Sequence, residues 1–283
     1  MPEEQEVLRA EDLVVGYGAS PVVRGVQVRS KAGQLTAIVG PNGAGKSTLM
    51  KGLIGILTPS AGRVWLNGQD ITGQPPENLI RRGVAYVPQT SNTFPSLTVL
   101  ENLELGGYIK RSEVRQRVDD VCAMFPDLRP ALKRQAKTLS GGQRMMLALA
   151  RGLIIKPSVL LLVEPTAGLA PRVVDTVWSH VLEIRDSGVA VLVVEQNTRR
   201  SLADADWGYV LTAGENNIEG PGPELLANED LVRLYIGGAA AGEPGAVAGE
   251  PGAAPSAQPG RQQQAPKDED GAVSTASNPT ERG

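Results

Sequence analysis

The chain has 283 residues, 41% apolar and 21% charged, with a net charge of −3, which suits one large α/β domain or two small ones. No basic block is long enough to suggest nucleic acid, and the longest apolar runs, 159–163 and 189–194, fall far short of the ~20 residues that span a bilayer. Residues 1–6 lack the basic-then-apolar form of a signal peptide, so the expectation is a cytosolic chain whose membrane role runs through partners.

In chain order, residues 7–15 and 22–28 read as strands joined by the turn residues 16–20. The apolar run 35–39 reads as a buried strand and 49–57 as a helix. Between them lie Gly40, Pro41, Asn42, Gly43, Ala44, Gly45, Lys46, Ser47 and Thr48, which fit the pattern G-x-x-x-x-G-K-[ST] in the strand–loop–helix context it needs. In such a loop, glycines let successive N–H groups turn toward phosphates, and the helix N-terminus adds partial positive charge. Lys46 reaches the β- and γ-phosphates, and the Ser47 hydroxyl can ligate Mg²⁺.

Residues 62–66 read as a strand running into the tight turn Asn67-Gly68, and 84–87 as a short strand closed by Pro88 and Gln89. The pattern turns helical over 99–124, and helix resumes after Ser140 through Gly152. The runs 159–163 and 189–194, joined by a helix over 172–186, have the continuous apolar character of parallel strands buried on both faces. Cys122, the single cysteine, falls on a helix and reads as a small buried apolar residue; the single His180 has no companion for a metal.

From Gly237 onward the sequence is mainly Gly, Ala, Pro, Glu, Ser and Gln, with nothing apolar larger than valine and Ala-Gly-Glu-Pro-Gly-Ala repeated at 241–246 and 248–253. Such a segment cannot bury enough apolar surface to offset its ordering entropy. It carries six acidic and three basic residues, which is the whole net charge, and leaves the body balanced. A disordered solvating extension and a docking segment for a partner are the two readings.

These motifs together resemble the ATP-binding subunit of an ABC transporter over about residues 7–236. The loop 40–48 corresponds to Walker A, Gln89 to the Q-loop glutamine, Leu139-Ser140-Gly141-Gly142-Gln143 to the family signature, and Glu164-Pro165-Thr166 follows the Walker B strand. The resemblance implies an α/β P-loop NTPase of the ABC type over 1–236: a mainly parallel sheet, an antiparallel β subdomain and a helical insert at about 90–155, followed by the tail 237–283. It implies ATP and Mg²⁺, the metal held by Ser47 and Gln89. Tyr17 stands where the family stacks an aromatic on adenine; a plain surface turn tyrosine is the other reading. Ser140, Gly141, Gly142 and Gln143, ahead of a helix beginning near Gln143, offer a second anion site that faces the γ-phosphate bound by another subunit. Glu164 becomes the general base, with an exposed strand-end carboxylate as its alternative, and Gln89 and Gln196 complete the catalytic set.

Two positions depart from the family pattern. Its Walker B strand ends in Asp-Glu, whereas here Val163 precedes Glu164, and its γ-phosphate histidine is replaced by Gln196 in Glu195-Gln196-Asn197. Valine cannot hold a hydrated metal, which implies slow hydrolysis, a higher Mg²⁺ requirement or a regulatory subunit; alternatively Ser47, Gln89 and the phosphates suffice. The Glu-Gln-Asn form, with Asp70-Ile71-Thr72-Gly73, Phe94-Pro95-Ser96-Leu97-Thr98-Val99 and Gly168-Leu169-Ala170-Pro171, resembles the branched-chain amino-acid importer subgroup, and urea and amide importers share much of it. That subgroup implies a second ATPase chain, identical or not, two membrane permeases, an indirect external substrate-binding protein, and a place at the cytoplasmic face of the membrane. Residues 90–105 are where the permease is expected to touch, with Phe94 and Leu97 as candidates against ordinary packing within the insert.

Overall fold

The structure is a computed structural model describing residues 5–90 and 92–228, the side chains of 110 and 111 aside; the tail expected at 237–283 lies outside these residues. Two long strands, β1 (Glu6–Tyr17) and β2 (Ser20–Lys31), open the chain as an antiparallel hairpin. There follow β3 (Leu35–Val39), α1 (Lys46–Leu53), β4 (Ala61–Leu66), β5 (Gln69–Asp70), α2 (Pro76–Arg81) and β6 (Val84–Val87). The helical insert holds α3 (Val99–Gly106), α4 (Val114–Met124) and α5 (Gly141–Leu153). The chain then runs through β7 (Val159–Val163), α6 (Pro171–Asp186), β8 (Ala190–Val194), α7 (Thr198–Asp204), β9 (Trp207–Thr212), β10 (Glu215–Gly220) and α8 (Gly222–Ala227).

Two sheets form. One is antiparallel, in the order β2-β1-β4-β5; the other runs β10-β9-β3-β8-β7-β6 and is parallel from β9 to β6, with β10 antiparallel at its edge. The central strands β3, β7 and β8 are buried at every residue, as expected where both faces of a sheet are covered. Their alternating side chains feed two separate cores. Leu160 and Leu162 join Val191 and Val193 in the cluster beneath α3 to α6. Val159, Leu161 and Val163 join Leu192 and Val194 in the cluster shared with β1, β2 and α1. Each fully buried side chain of this kind contributes about 1.5–3 kcal/mol. Cys122 is buried in the first cluster, as its helical setting suggested, and His180 lies against the Phe125 ring at 4.7 Å while its Nδ1 meets Glu183.

Several boundaries differ from the sequence reading, each for a local reason. The helix expected over 99–124 is interrupted: α3 stops at Gly106, and a 3₁₀ turn, Tyr108–Glu113, precedes α4. A Cβ on Gly106 would strike Arg151, and one on Gly107 would strike Val114 and Ile154, so the glycine pair lets α3 end hard against α5. The first nucleotide-loop helix starts at Lys46 and ends at Leu53, because Gly55, at φ 74°, turns the chain away. The hairpin β9–β10, which no expectation covered, turns on Ala213 and Gly214, both at positive φ (50° and 87°). Among the described residues no helix is long and apolar enough to cross a membrane.

Leu160 is wholly buried between α5 and β6. Leu160→Ala is expected to lower the free energy of unfolding by about 2–5 kcal/mol, read from urea denaturation of parent and variant; a loss below about 1 kcal/mol would contradict a close-packed strand here.

Candidate nucleotide site

The phosphate-type loop leaves β3 at Val39 and takes backbone angles that only glycine adopts readily: φ is 144° at Gly40, 84° at Gly43 and 96° at Gly45. At Gly40 the backbone also passes so close to β9 that a Cβ would meet the carbonyl of Leu211. Helix α1 then begins at Lys46 with Gly45 as its cap and no side chain capping it. Its first N–H groups therefore carry the positive end of the helix without a side-chain acceptor. The Lys46 ammonium is nearly buried and donates to the carbonyls of Gly40 (2.7 Å) and Pro41 (3.0 Å). Burial lowers its pKa, and the charge of Glu164 acts in the opposite direction. The Ser47 side chain is exposed, and Thr48 is buried behind it. Tyr17, 53% exposed at the end of β1, is tied to α1 through its hydroxyl, which accepts from Lys51 Nζ at 3.1 Å.

The four neighbouring strands β3, β8, β7 and β6 end at one level of the parallel sheet, where α/β folds place ligands. Gln89 follows β6, Glu164 follows β7 and Gln196 follows β8. Their side chains meet: Gln89 Nε2 donates to Glu164 Oε2 at 2.6 Å, and Gln196 Nε2 donates to the same oxygen at 2.8 Å. Glu164 sits at φ 49°, a rare angle for a residue with a side chain, and its N–H donates to the Val194 carbonyl at 2.7 Å. Only 9% of the residue is exposed. Burial raises its pKa first and the neighbouring Glu195 charge adds to this, while Lys46 and the two glutamine amides pull the other way.

The second anion-type corner is built differently from its sequence expectation. The helix begins at Gly141 rather than near Gln143, and Ser140 is its N-cap. The Ser140 hydroxyl accepts from Gln143 N at 3.2 Å, while Ser140 N donates to Gln143 Oε1 at 3.1 Å, which closes a capping box. Gly142 packs where a Cβ would collide with Val173 of α6. Among the described residues no hydrogen bond joins this corner to the loop 40–48 of the same chain.

Residues 23–167 match the profile of the ABC transporter family. The chain belongs to that family. It is 42% identical over 233 residues to a probable branched-chain amino acid transport ATP-binding protein of Archaeoglobus fulgidus, a match spanning 82% of this chain and 99% of the relative. It is 37% identical over 223 residues to a high-affinity branched-chain amino acid transport ATP-binding protein of Pseudomonas aeruginosa, spanning 78% of this chain and 96% of the relative. Its fold matches the ADP conformation of an ATP-binding cassette of an ABC transporter with a TM-score of 0.74 at 30% identity, over 82% of this chain and 99% of the other. ABC domains bind ATP, and this family member carries the parallel core, antiparallel sheet and helical insert of such cassettes.

Within this ABC domain the residues also suit Mg²⁺. Ser47 offers an exposed hydroxyl, and Gln89, whose amide nitrogen is held by Glu164, keeps its oxygen without a hydrogen bond among the described residues. Both are hard oxygen donors of the kind Mg²⁺ takes alongside phosphate oxygens. Val163 adds none: it is 4% exposed and belongs to the cluster containing Ala44 and Leu49. Among the described residues no group of three or more His, Cys, Asp or Glu side chains could hold a metal by itself.

Sequence reasoning missed the role of Glu195. Its buried carboxylate accepts from Thr166 N (2.9 Å), Thr166 Oγ1 (2.6 Å) and Gln196 N (3.0 Å), which ties the segment after β7 to the one after β8. The available signal was a charge directly after a continuous apolar strand. Because its charge raises the Glu164 pKa, the Glu164 carboxyl is expected to titrate at lower pH in Glu195→Gln than in the parent, followed by ¹³C NMR of the carboxyl carbon. The raised pKa means the folded chain holds this proton longer than the unfolded chain. Stability therefore falls as pH rises from the ordinary glutamate value through the raised one, and the variant's fall is smaller.

Proposed function

We propose that this chain is the ATP-hydrolysing subunit of an ABC importer for branched-chain amino acids. It works against a second ATPase chain, beneath two membrane permeases to which an external binding protein delivers the cargo. The observation that carries the enzymatic part is the seating of Glu164 between Gln89 and Gln196, at the strand ends beside the Lys46 loop. The cargo assignment is supported by the two relatives, both branched-chain amino acid transport ATP-binding proteins, each matched over nearly its whole length. The permeases hold the subunit at the cytoplasmic face of the membrane.

In this reading the glycine loop, from Gly40 to Gly45, and the first turn of α1, including Ser47 and Thr48, bind the phosphates, and Lys46 leaves the Gly40 and Pro41 carbonyls to reach them. Tyr17 stacks on the adenine. Ser47 and Gln89 would hold Mg²⁺, which would supply charge neutralisation at the phosphates. Glu164 is the general base: its Oε2 is fixed by the two amides, and Oε1, which takes no hydrogen bond among the described residues, accepts the proton of water attacking the γ-phosphorus. The water oxygen bonds to phosphorus, the bond to the ADP oxygen breaks, and ADP and phosphate leave. Gln196 donates toward the γ-phosphate without carrying charge. Ser140, Gly141, Gly142 and Gln143 of the second chain close over that phosphate, so each pocket is shared.

A second reading rests on Val163. A subunit lacking the carboxylate there binds ATP and regulates, with turnover performed by its partner. The two readings separate on one variant. Val163→Asp is expected to raise phosphate release, with the partner chain present at fixed Mg²⁺, by about 10–100-fold; no increase in rate would remove the impairment idea. The shared pocket is tested by pairing Ser47→Cys with Ser140→Cys: an ATP-dependent disulfide between chains is expected, and its absence with intact ATP binding would overturn the two-chain site.

A further inference from the structure

The Tyr17 ring stands at the tip of the β1–β2 hairpin, where Gly18 at φ 61° turns the chain and Tyr17 pairs with Ser20 across the turn. More than half of the residue is exposed, so packing gives the ring little to rest on. A side-chain hydrogen bond reaches from this tip to the helix of the phosphate loop: Lys51 Nζ donates to the Tyr17 hydroxyl at 3.1 Å. The same ammonium is 5.6 Å from the ring centroid, so it lies off the hydroxyl edge and leaves the ring faces clear. Among the described residues Lys51 forms no ion pair, and no carboxylate competes with the phenol oxygen for it. The hydrogen bond from Lys51, and after it that from Thr48, holds the Tyr17 hydroxyl below its ordinary pKa, in keeping with a donor resting on that oxygen. Lys51 follows Lys46 on α1 by about 7.5 Å along the axis, so the hairpin tip is tied to the helix that carries the phosphate loop.

We propose that Lys51 is a positioning residue for the nucleotide base: by holding the Tyr17 hydroxyl, it fixes the ring relative to the phosphate loop before ATP arrives. The proposal rests on the ATP-binding reading above, in which Tyr17 stacks on the adenine, and adds the residue that aims the ring. An exposed aromatic beside a glycine turn has freedom of rotamer and backbone that binding would otherwise remove. A hydrogen bond at the edge of the ring removes that freedom in advance and covers none of the surface on which a base stacks. Tether and phosphate loop belong to one helix, so the spacing between base platform and phosphate cradle follows from helix geometry rather than from the hairpin. Lys51 thus acts on the nucleotide through Tyr17. Methionine at this position keeps the length of the side chain but has no donor, whereas arginine keeps both donor and charge.

The test measures the affinity of the full chain for ATP and for inorganic tripolyphosphate by calorimetry at one fixed Mg²⁺ concentration. The ratio of the two isolates what the base contributes, because both ligands carry the same phosphate chain. A general loss of charge or of folded protein moves both affinities together and cancels in the ratio. Lys51→Met is expected to lower the ATP preference about 3–10-fold, as the freedom of one side chain returns. Lys51→Arg is expected to keep it near the parent value. The Tyr17 phenol, followed by ¹³C NMR of its ring carbon, is expected to titrate at higher pH in Lys51→Met and to return toward the parent in Lys51→Arg. In a Tyr17→Ala background, Lys51→Met is expected to change the preference no further. An unchanged preference in Lys51→Met, where Tyr17→Ala lowers it, overturns this proposal and leaves the stacking of Tyr17 standing. A further fall in the Tyr17→Ala background means that Lys51 meets the base directly, which overturns it as well. An unchanged preference in Tyr17→Ala removes the stacking reading and the proposal together.

Discussion

The site hangs on one backbone hydrogen bond, from Glu164 N–H to the Val194 carbonyl. It extends the β7–β8 ladder by one residue just as the chain swings to positive φ, so that the following carboxylate turns back across the ends of β6 and β8. Without that bond the strained angle would relax, at a gain of roughly 1–3 kcal/mol, and the carboxylate would swing away from both amides. Glu195 supports the same geometry from the other side, clamping Thr166 to the end of β8. Three strand ends are thus cross-tied at a single level, and the wholly buried strands behind them leave little room for adjustment.

Val163 fits this picture of a rigid platform. As a β-branched residue at the buried end of a central strand it packs with Leu161 and Val194, and the fold loses nothing by its presence. What it removes is a charged oxygen beside the loop. The electrostatic field around Glu164 is accordingly set by Lys46 and Glu195, of opposite sign, with no further fixed charge supplied from position 163.

Much of the fold could be read from residue pattern, because buried parallel strands are continuous apolar runs; 35–39, 84–87 and 159–163 match β3, β6 and β7 in full. The loop from Gly40 to Thr48 was legible for a different reason, since its glycines occupy angles other residues avoid. The positions of Gln89, Glu164 and Gln196 were legible as strand ends, but not their meeting on one oxygen, which depends on strand order. The break after Gly106 was hidden because helical periodicity continues across it; the cause is a neighbour, Arg151, distant in sequence. Strand β10 escaped because Glu215–Gly220 is polar and half-exposed, as edge strands are. Arg151 was not singled out by the sequence, and only the folded insert reveals that its Nη1 is covered.

The capping box at the start of α5 has a further consequence. Accepting from Gln143 N holds the Ser140 oxygen by one of its lone pairs, and this stops the side-chain rotor while the hydroxyl hydrogen remains able to point outward. An incoming anion would therefore meet a donor whose direction the helix has already chosen. In the proposed two-chain pocket this corner would then need no rearrangement, only approach.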